Sequence, residues 1–304
     1  MSLTYPEAIV VGLFQGVTEL FPVSSLGHSV IIPALIGGRW ARDLNVSAPE
    51  SPYLAFIVGL HVATALALLI FFWRDWVRIV GGLLTSVRDR RIQTADQRLA
   101  WLLVVATLPV GVAGLLLEHT FRTVLGRPMP AALFLAANGG VLYGGELLRR
   151  RAAKRADAAT MGAPDEPLPS DVVSDRRLAG LGWAESALIG AAEILALLPG
   201  ISRSGATMVA GLARGLSHED AARFSFLLAT PVILAAGVLK IPDLTGPLGA
   251  GIHGQVLAGS LVSGIGAYVA VRFLVRYFQT RTLTPFAVYC AVAGLASAAC
   301  LGLS

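Results

Sequence analysis

The sequence predicts an all-α integral membrane protein made of inverted-topology repeats, each a re-entrant helix hairpin plus three transmembrane helices. Three observations carry this. Of 304 residues, 55% are hydrophobic and only 14% are charged, against roughly 25% charged in a soluble domain. The apolar runs are continuous and do not alternate with period two, so their backbone groups are satisfied in helices rather than in a barrel. Two further apolar runs, far apart in the chain, break at prolines and restart after a few residues.

The first repeat is read over 1–148 and opens with a re-entrant hairpin at 5–38. No basic region precedes its first apolar run, and Glu7, Gln15 and Glu19 interrupt it, so it is not a cleavable signal peptide. The run Tyr5–Phe21 stops at Pro22, and a short run, Val30–Ile36, follows. Seven helical residues rise only about 10 Å, too little to cross alone. Spans are expected at about 53–73, 99–117 and 131–148. The linker, 149–180, carries Arg149, Arg150, Arg151, Lys154, Arg155, Arg176 and Arg177 around Pro164, Pro167 and Pro169, and reads as flexible. The second repeat, 181–304, has its hairpin at 183–213, broken at Pro199 and Gly200, then spans at about 224–239, 255–275 and 284–303. An odd number of spans in each half requires the halves to lie inverted, and broken helices in such repeats meet at the working site.

Charge sets the orientation. On one side the linker, the 74–98 loop, the 214–223 loop and Arg272–Arg281 hold 18 of the 24 Lys and Arg; the other side holds Arg39, Arg42, Arg122, Arg127 and Lys240. The richer side is expected to be cytoplasmic in a bacterial plasma membrane, with both termini and the site's opening on the outer side. Trp73, Trp76 and Tyr277 fit an aromatic belt. The two cysteines, Cys290 and Cys300, read as small lipid- or core-facing residues. No nucleic-acid partner is expected.

Arg203 stands apart, inside the second hairpin. The first hairpin places Gln15 and Glu19 on one helix face, four residues apart. Pro22 ends that helix, Ser24 and Ser25 follow, and His28 lies just beyond. The second runs from Glu193 through Pro199, Gly200, Ser202, Arg203 and Ser204 to Thr207. A helix restarting there aims free amides and its positive dipole end into the break. Arg203 adds a planar fork suited to phosphate. An acid/base half thus faces an anion-binding half, as phosphoryl transfer requires. Each group has a plainer reading: serine as helix cap, His28 as an interfacial residue, Gln15 as interhelical glue, Glu19 and Arg203 as a structural pair. Seven polar groups at two matched breaks are harder to assign to chance, and intramembrane charge is functional by default. His61 and Thr64 lie within a span and can approach the site. Glu7, Asn138 and Glu146 read as structural. His119, His218 and His253 fall in loops without metal-ligand spacing.

These residues resemble the undecaprenyl-diphosphate phosphatase family, also called the bacitracin-resistance family. The likeness rests on Gln15-x3-Glu19, on Pro22-Val-Ser-Ser-x-Gly-His28 and on Pro199-Gly-x-Ser-Arg-Ser-Gly-x-Thr207. It extends through Phe72-Trp73-Arg74, Phe224 to Pro231, and Pro285 to Tyr289. The resemblance implies paired re-entrant hairpins and six spans. It implies an enzyme that takes one phosphate from undecaprenyl diphosphate, giving the monophosphate carrier for cell-wall synthesis. It implies essential roles for Glu19, His28 and Arg203, and makes Ser25 the candidate nucleophile. Ser24, Gly200, Ser202, Ser204 and Thr207 complete the expected phosphate-binding set. The glutamate-rich motif is associated with a divalent cation, Mg or Ca, here assigned to Gln15 and Glu19. With Gln rather than Glu at position 15, such an ion is less securely held. The family often has Gln-Leu-Gly-Ser where this chain has His61-Val-Ala-Thr64. The expected partners are a polyprenyl diphosphate lipid and the bilayer, and a homodimer is compatible with the reading. Whether serine or water attacks, and whether Glu19 or His28 takes the proton, is left open by the sequence. The rival is an inverted-repeat transporter or flippase of polyprenyl phosphate. The type-2 acid phosphatase pattern fails, because its nucleophilic histidine would fall at Val209.

Overall fold

A computed structural model describes residues 3–44, 52–157, 170–239, 246 and 251–303. Among them every regular element is a helix. The chain begins with α1 (Tyr5–Thr18), α2 (Ser25–Ile36) and the short α3 (Gly38–Asp43). It continues with α4 (Pro52–Phe71), α5 (Trp73–Asp89), α6 (Ala95–Leu125) and α7 (Pro128–Asp157). Then come α8 (Ser170–Ala179), α9 (Trp183–Ala191), a 3-10 segment (Ala192–Leu197) and α10 (Arg203–Ala213). The chain closes with α11 (His218–Leu239), α12 (His253–Thr280) and α13 (Thr284–Leu303).

Five of these, α6, α7, α11, α12 and α13, contain stretches long and apolar enough to cross a membrane, and α4 with α5 reaches that length and apolarity only when the two are taken together across their 86° bend. The chain is a multi-pass membrane protein. Its outer surface agrees: Leu108, Val112 and Leu115 on α6, Leu257, Leu261 and Ile265 on α12, and Val288, Val292 and Leu295 on α13 are all exposed. Water would penalise such rows, whereas lipid does not.

Close approach of α1 and α9 to longer helices rests on small residues. A Cβ on Gly16 of α1 would stand 2.1 Å from the Ser263 carbonyl oxygen of α12. A Cβ on Gly190 of α9 would stand 1.9 Å from the Ala106 carbonyl oxygen of α6. Without a hydrophobic drive between helices in lipid, such backbone contact supplies the packing. Glu7 closes the first turn of α1, accepting from Thr4 N at 2.8 Å and from Thr4 Oγ1 at 2.6 Å, so its role is a cap.

Three expectations need correction. The 74–98 segment is not a loop: 73–89 forms α5, bent 86° from α4. Its exposed apolar residues, Trp73, Val77, Val80, Leu84 and Val87, recur at helical spacing, interleaved with arginines that mask the apolar run in sequence. The 149–180 linker is helical at both ends. α7 continues to Asp157, and α8 is tied down where Arg223 donates to Asp175 at 2.9 Å and Ser174 donates to Asp220 at 2.5 Å. Pro164, Pro167 and Pro169, like Lys240, lie outside the described residues. His218 and His253 are not in loops but open α11 and α12, and His218 is buried 2.8 Å from Glu146. The side chain of His119 also lies outside the described residues.

The two α9–α6 backbones cannot separate without losing the second hairpin's support, so Gly190→Ala is expected to cost about 1–3 kcal/mol through overpacking. Gly140→Ala on α7, where an added Cβ meets nothing within 4 Å, is expected to leave stability unchanged or slightly raised. Thermal unfolding in detergent compares the two.

Candidate active site

Both hairpins break where the sequence says they should, and by the same device. Pro22 and Pro199 each stop a helix, and a serine caps its successor. Ser24 Oγ accepts from Gly27 N at 3.2 Å, and Ser202 Oγ accepts from Gly205 N at 3.2 Å. The breaks touch. Gly200 N donates to Ser24 Oγ at 3.2 Å, and a Cβ on Gly27 would lie 2.7 Å from Gly200 Cα. Gly200 has φ +114, a region that favours glycine, and any side chain there would strike the Ala131 carbonyl oxygen at 2.4 Å. The second hairpin's first arm covers the expected residues, with α9 tightening into the 3-10 segment Ala192–Leu197 before the break.

At the junction Arg203 Nη2 donates to Glu19 Oε1 at 2.8 Å, and Nη1 donates to the Ala229 carbonyl oxygen at 3.3 Å. The pair is inward, with side-chain exposures of 15% for Arg203 and 6% for Glu19. The other carboxylate oxygen, Oε2, accepts from Ser25 Oγ at 2.5 Å and from Gln15 Nε2 at 2.8 Å. Nucleophile candidate, base candidate and guanidinium therefore meet on one carboxylate.

The remaining expected residues divide by what they touch. Ser204 Oγ donates to the Phe21 carbonyl oxygen at 3.3 Å, and Ser202 Oγ lies 3.1 Å from Ser204 Oγ. Thr207 Oγ1 donates to the Arg203 carbonyl oxygen at 2.9 Å and lies 3.4 Å from Glu193 Oε1. Ser24, Ser202, Ser204 and Thr207 are all buried; the three serines bind one hairpin to the other, while Thr207 ties the arms of the second hairpin together. His28 is turned aside. Its Nδ1 lies 2.7 Å from the Ser24 carbonyl oxygen, which can only accept, so Nδ1 carries the proton. Nε2 then accepts from Tyr289 Oη at 2.8 Å, with the two rings stacked.

Three residues matter more than their sequence setting suggests. Asn138 of α7 spans the two breaks, donating to the Pro22 carbonyl oxygen at 3.1 Å and accepting from Ser202 N at 3.0 Å. His61 Nε2 is 3.4 Å from Glu19 Oε2 and 3.2 Å from Gln15 Nε2, with 29% of its side chain exposed. Glu193 is buried, and its Oε2 has no hydrogen-bond partner among the described residues. The available signal was a polar residue in the middle of an apolar run, which names a candidate without naming its partner. Thr64 turns away, bonding the Leu60 carbonyl oxygen at 3.0 Å.

The arrangement does not fit a divalent ion held between Gln15 and Glu19. Gln15 offers Glu19 its amide N–H, and both carboxylate oxygens already accept from protein donors. Mg or Ca requires six or more oxygen ligands. Among the described residues no group of three or more His, Cys, Asp or Glu could hold a metal.

The family described as bacitracin resistance protein BacA matches residues 8–296 of this chain. The chain is 71% identical over 302 residues to a Mycolicibacterium paratuberculosis protein named undecaprenyl-diphosphatase, covering 99% of this chain and 98% of the relative. It is 70% identical to the protein of that name from Mycobacterium avium, covering 99% of each. It is 54% identical to undecaprenyl-diphosphatase 1 of Frankia casuarinae, covering 96% of this chain and 97% of that one.

Removing the Asn138 amide leaves the buried Ser202 N–H without its acceptor, at about 1–3 kcal/mol, and leaves the Pro22 carbonyl with the long contact from Cys290 Sγ at 3.7 Å. Asn138→Ala is expected to lower the unfolding midpoint in detergent. Asn138→Asp in its neutral form keeps an acceptor for Ser202 N and an O–H donor for the Pro22 carbonyl, and is expected to fall between Ala and wild type, with the loss growing as the pH is raised and the carboxyl ionises.

Proposed function

This chain belongs to the bacitracin resistance protein BacA family, and we propose that it is a membrane phosphatase converting undecaprenyl diphosphate to undecaprenyl phosphate and inorganic phosphate. The observation that carries the reading is the shared carboxylate: Glu19 accepts from Ser25 through one oxygen and from Arg203 through the other. A structural ion pair would need no serine hydroxyl at 2.5 Å from the carboxylate.

In the resting arrangement Arg203 is paired with Glu19. The diphosphate competes for the guanidinium, which suits a phosphate's paired oxygens better than a single carboxylate oxygen. Arg203 then holds the terminal phosphate, aided by amides at the start of α10. Glu19, released from the guanidinium, takes the Ser25 proton. Ser25 Oγ attacks the terminal phosphorus, and the bond from phosphorus to the bridging oxygen breaks, leaving the lipid monophosphate. Water then cleaves the phosphoserine and restores the hydroxyl. Geometry favours Glu19 over His28 as the first proton acceptor, because only Glu19 touches Ser25. His28, oriented by Ser24 and Tyr289, is assigned to the leaving-oxygen side. No step passes through a metal ion.

The two halves are proposed to lie inverted. The packing of α1 on α12 through Gly16, and of α9 on α6 through Gly190, supports this. On the proposed topology 18 of the 24 basic residues fall on one side, and that side is proposed to be cytoplasmic in the plasma membrane, with the site opening outward and the product serving cell-wall synthesis.

Phosphate release from undecaprenyl diphosphate by purified protein in detergent tests the reading, since a pure transporter releases none without a sealed compartment. Arg203→Ala is expected to lower kcat/KM by about 100-fold or more, the scale of losing one charge-stabilising donor. Ser25→Ala is expected to lower kcat comparably. Near-normal turnover in Ser25→Ala would assign attack to water, and near-normal kcat/KM in Arg203→Ala would remove the clamp.

A further inference from the structure

We propose that the groove at the C-terminal end of α12 is a binding site for an anionic glycerophospholipid of the bilayer. The groove encloses about 450 Å³ and is lined by Val269, Arg272, Phe273, Arg276, Tyr277 and Arg281. Val269, Arg272, Phe273 and Arg276 recur at spacings of three and four, so they share one helix face. The wall runs from apolar to basic: Val269 stands at one end, Arg272 beside Phe273 follows, and Arg276 and Arg281 close it toward the helix end, all of them exposed.

That gradient matches the depth of the helix in a bilayer. α12 has 28 residues, a length of about 42 Å against a hydrocarbon core of about 30 Å. Its last turns therefore extend toward the headgroup layer, and Val269 and Phe273 lie on the acyl side of Arg276 and Arg281. From Val269 to Tyr277 the wall rises about 12 Å. This accommodates a glycerol backbone and the first carbons of an acyl chain, and is short for a long prenyl chain.

Charge identifies the headgroup. None of Arg272, Arg276 and Arg281 forms a salt bridge with a described carboxylate. Other arginines of the chain are engaged: Arg78 and Arg223 pair with Asp75 and Asp175, and Arg177 pairs with Asp220. Three unpaired guanidiniums around one groove are a phosphate-binding arrangement. An incidental interfacial arginine would have neither the neighbours nor the aromatic wall.

The groove also reaches the first break. Phe273 stacks on Phe21 with centroids 5.9 Å apart and planes 7° apart. Phe21 lies between Glu19 and Ser24. A lipid seated on Phe273 thus braces the tip of the first hairpin, and its binding raises the stability of the whole fold by mass action.

Detergent-purified full-length protein, titrated with phosphatidylglycerol, tests this by native mass spectrometry and thermal unfolding. The wild type is expected to retain phosphatidylglycerol and to unfold at a midpoint that rises with its concentration. Arg272→Gln/Arg276→Gln/Arg281→Gln is expected to weaken retention at least tenfold and abolish the rise, while unfolding as the wild type does without lipid. Phosphatidylcholine is expected to bind at least tenfold more weakly, and inorganic phosphate to give no shift. Equal phosphatidylglycerol binding by the triple variant, or equal binding of phosphatidylcholine, would overturn the proposal. So would one-for-one displacement by undecaprenyl phosphate at equal concentration, which would give the groove to the prenyl lipid. Phosphate release is not a readout, so the result stands apart from the catalytic reading.

Discussion

The ion pair between Glu19 and Arg203 is the constraint around which the other features are arranged. A charge in a membrane interior is costly, and a lone one left by removal of its partner costs about 3–5 kcal/mol. The two groups come from hairpins 184 residues apart in the chain. Each sits at a helix break because only there can a side chain and free backbone groups share an enclosed space without leaving a lipid-facing backbone unsatisfied. Bringing the breaks together requires a glycine at Gly200, a crossing amide at Asn138, and small residues where α1 and α9 lie against their spans.

The same pair explains how the site can be stable and still receive an anion. On the proposed mechanism the phosphate takes the place Glu19 holds on Arg203, and Ser25 is already hydrogen-bonded to the carboxylate proposed to take its proton. Substrate exchange of one anion for another leaves the guanidinium compensated throughout. The polar side chains around it, Ser202, Ser204 and Thr207, are engaged with backbone or with one another in the resting arrangement. They hold the geometry, and any contact they make to phosphate requires those bonds to be traded.

Much of this was legible in the sequence. The broken hairpins, five of the apolar spans and the meeting of Glu19 with Arg203 follow from prolines at matched breaks, from continuous apolar runs and from the cost of unpaired charge. α5 was not legible, because its arginines lower the local apolar density while its helical face remains continuous. The partners of His28 and His61 were not legible either. Motif order placed His28 near the reacting groups, but rotation about the start of α2 directs its ring to Tyr289, a residue 261 positions away. His61 approaches Glu19 because α4 packs against α12, which carries α1, and no local pattern encodes that path. Asn138 looked like an ordinary polar residue in a span for the same reason: its two partners lie in separate hairpins.

The most direct test of the account is a double-mutant cycle on the contact itself, with Glu19→Gln, Arg203→Gln and the double variant unfolded chemically in detergent. Coupling of about 1 kcal/mol or more, with the double variant more stable than the sum of the single losses implies, is the predicted result. Losses that add to within about 0.5 kcal/mol would show that the two residues do not meet, and the convergence of the hairpins on a shared carboxylate would fall with them.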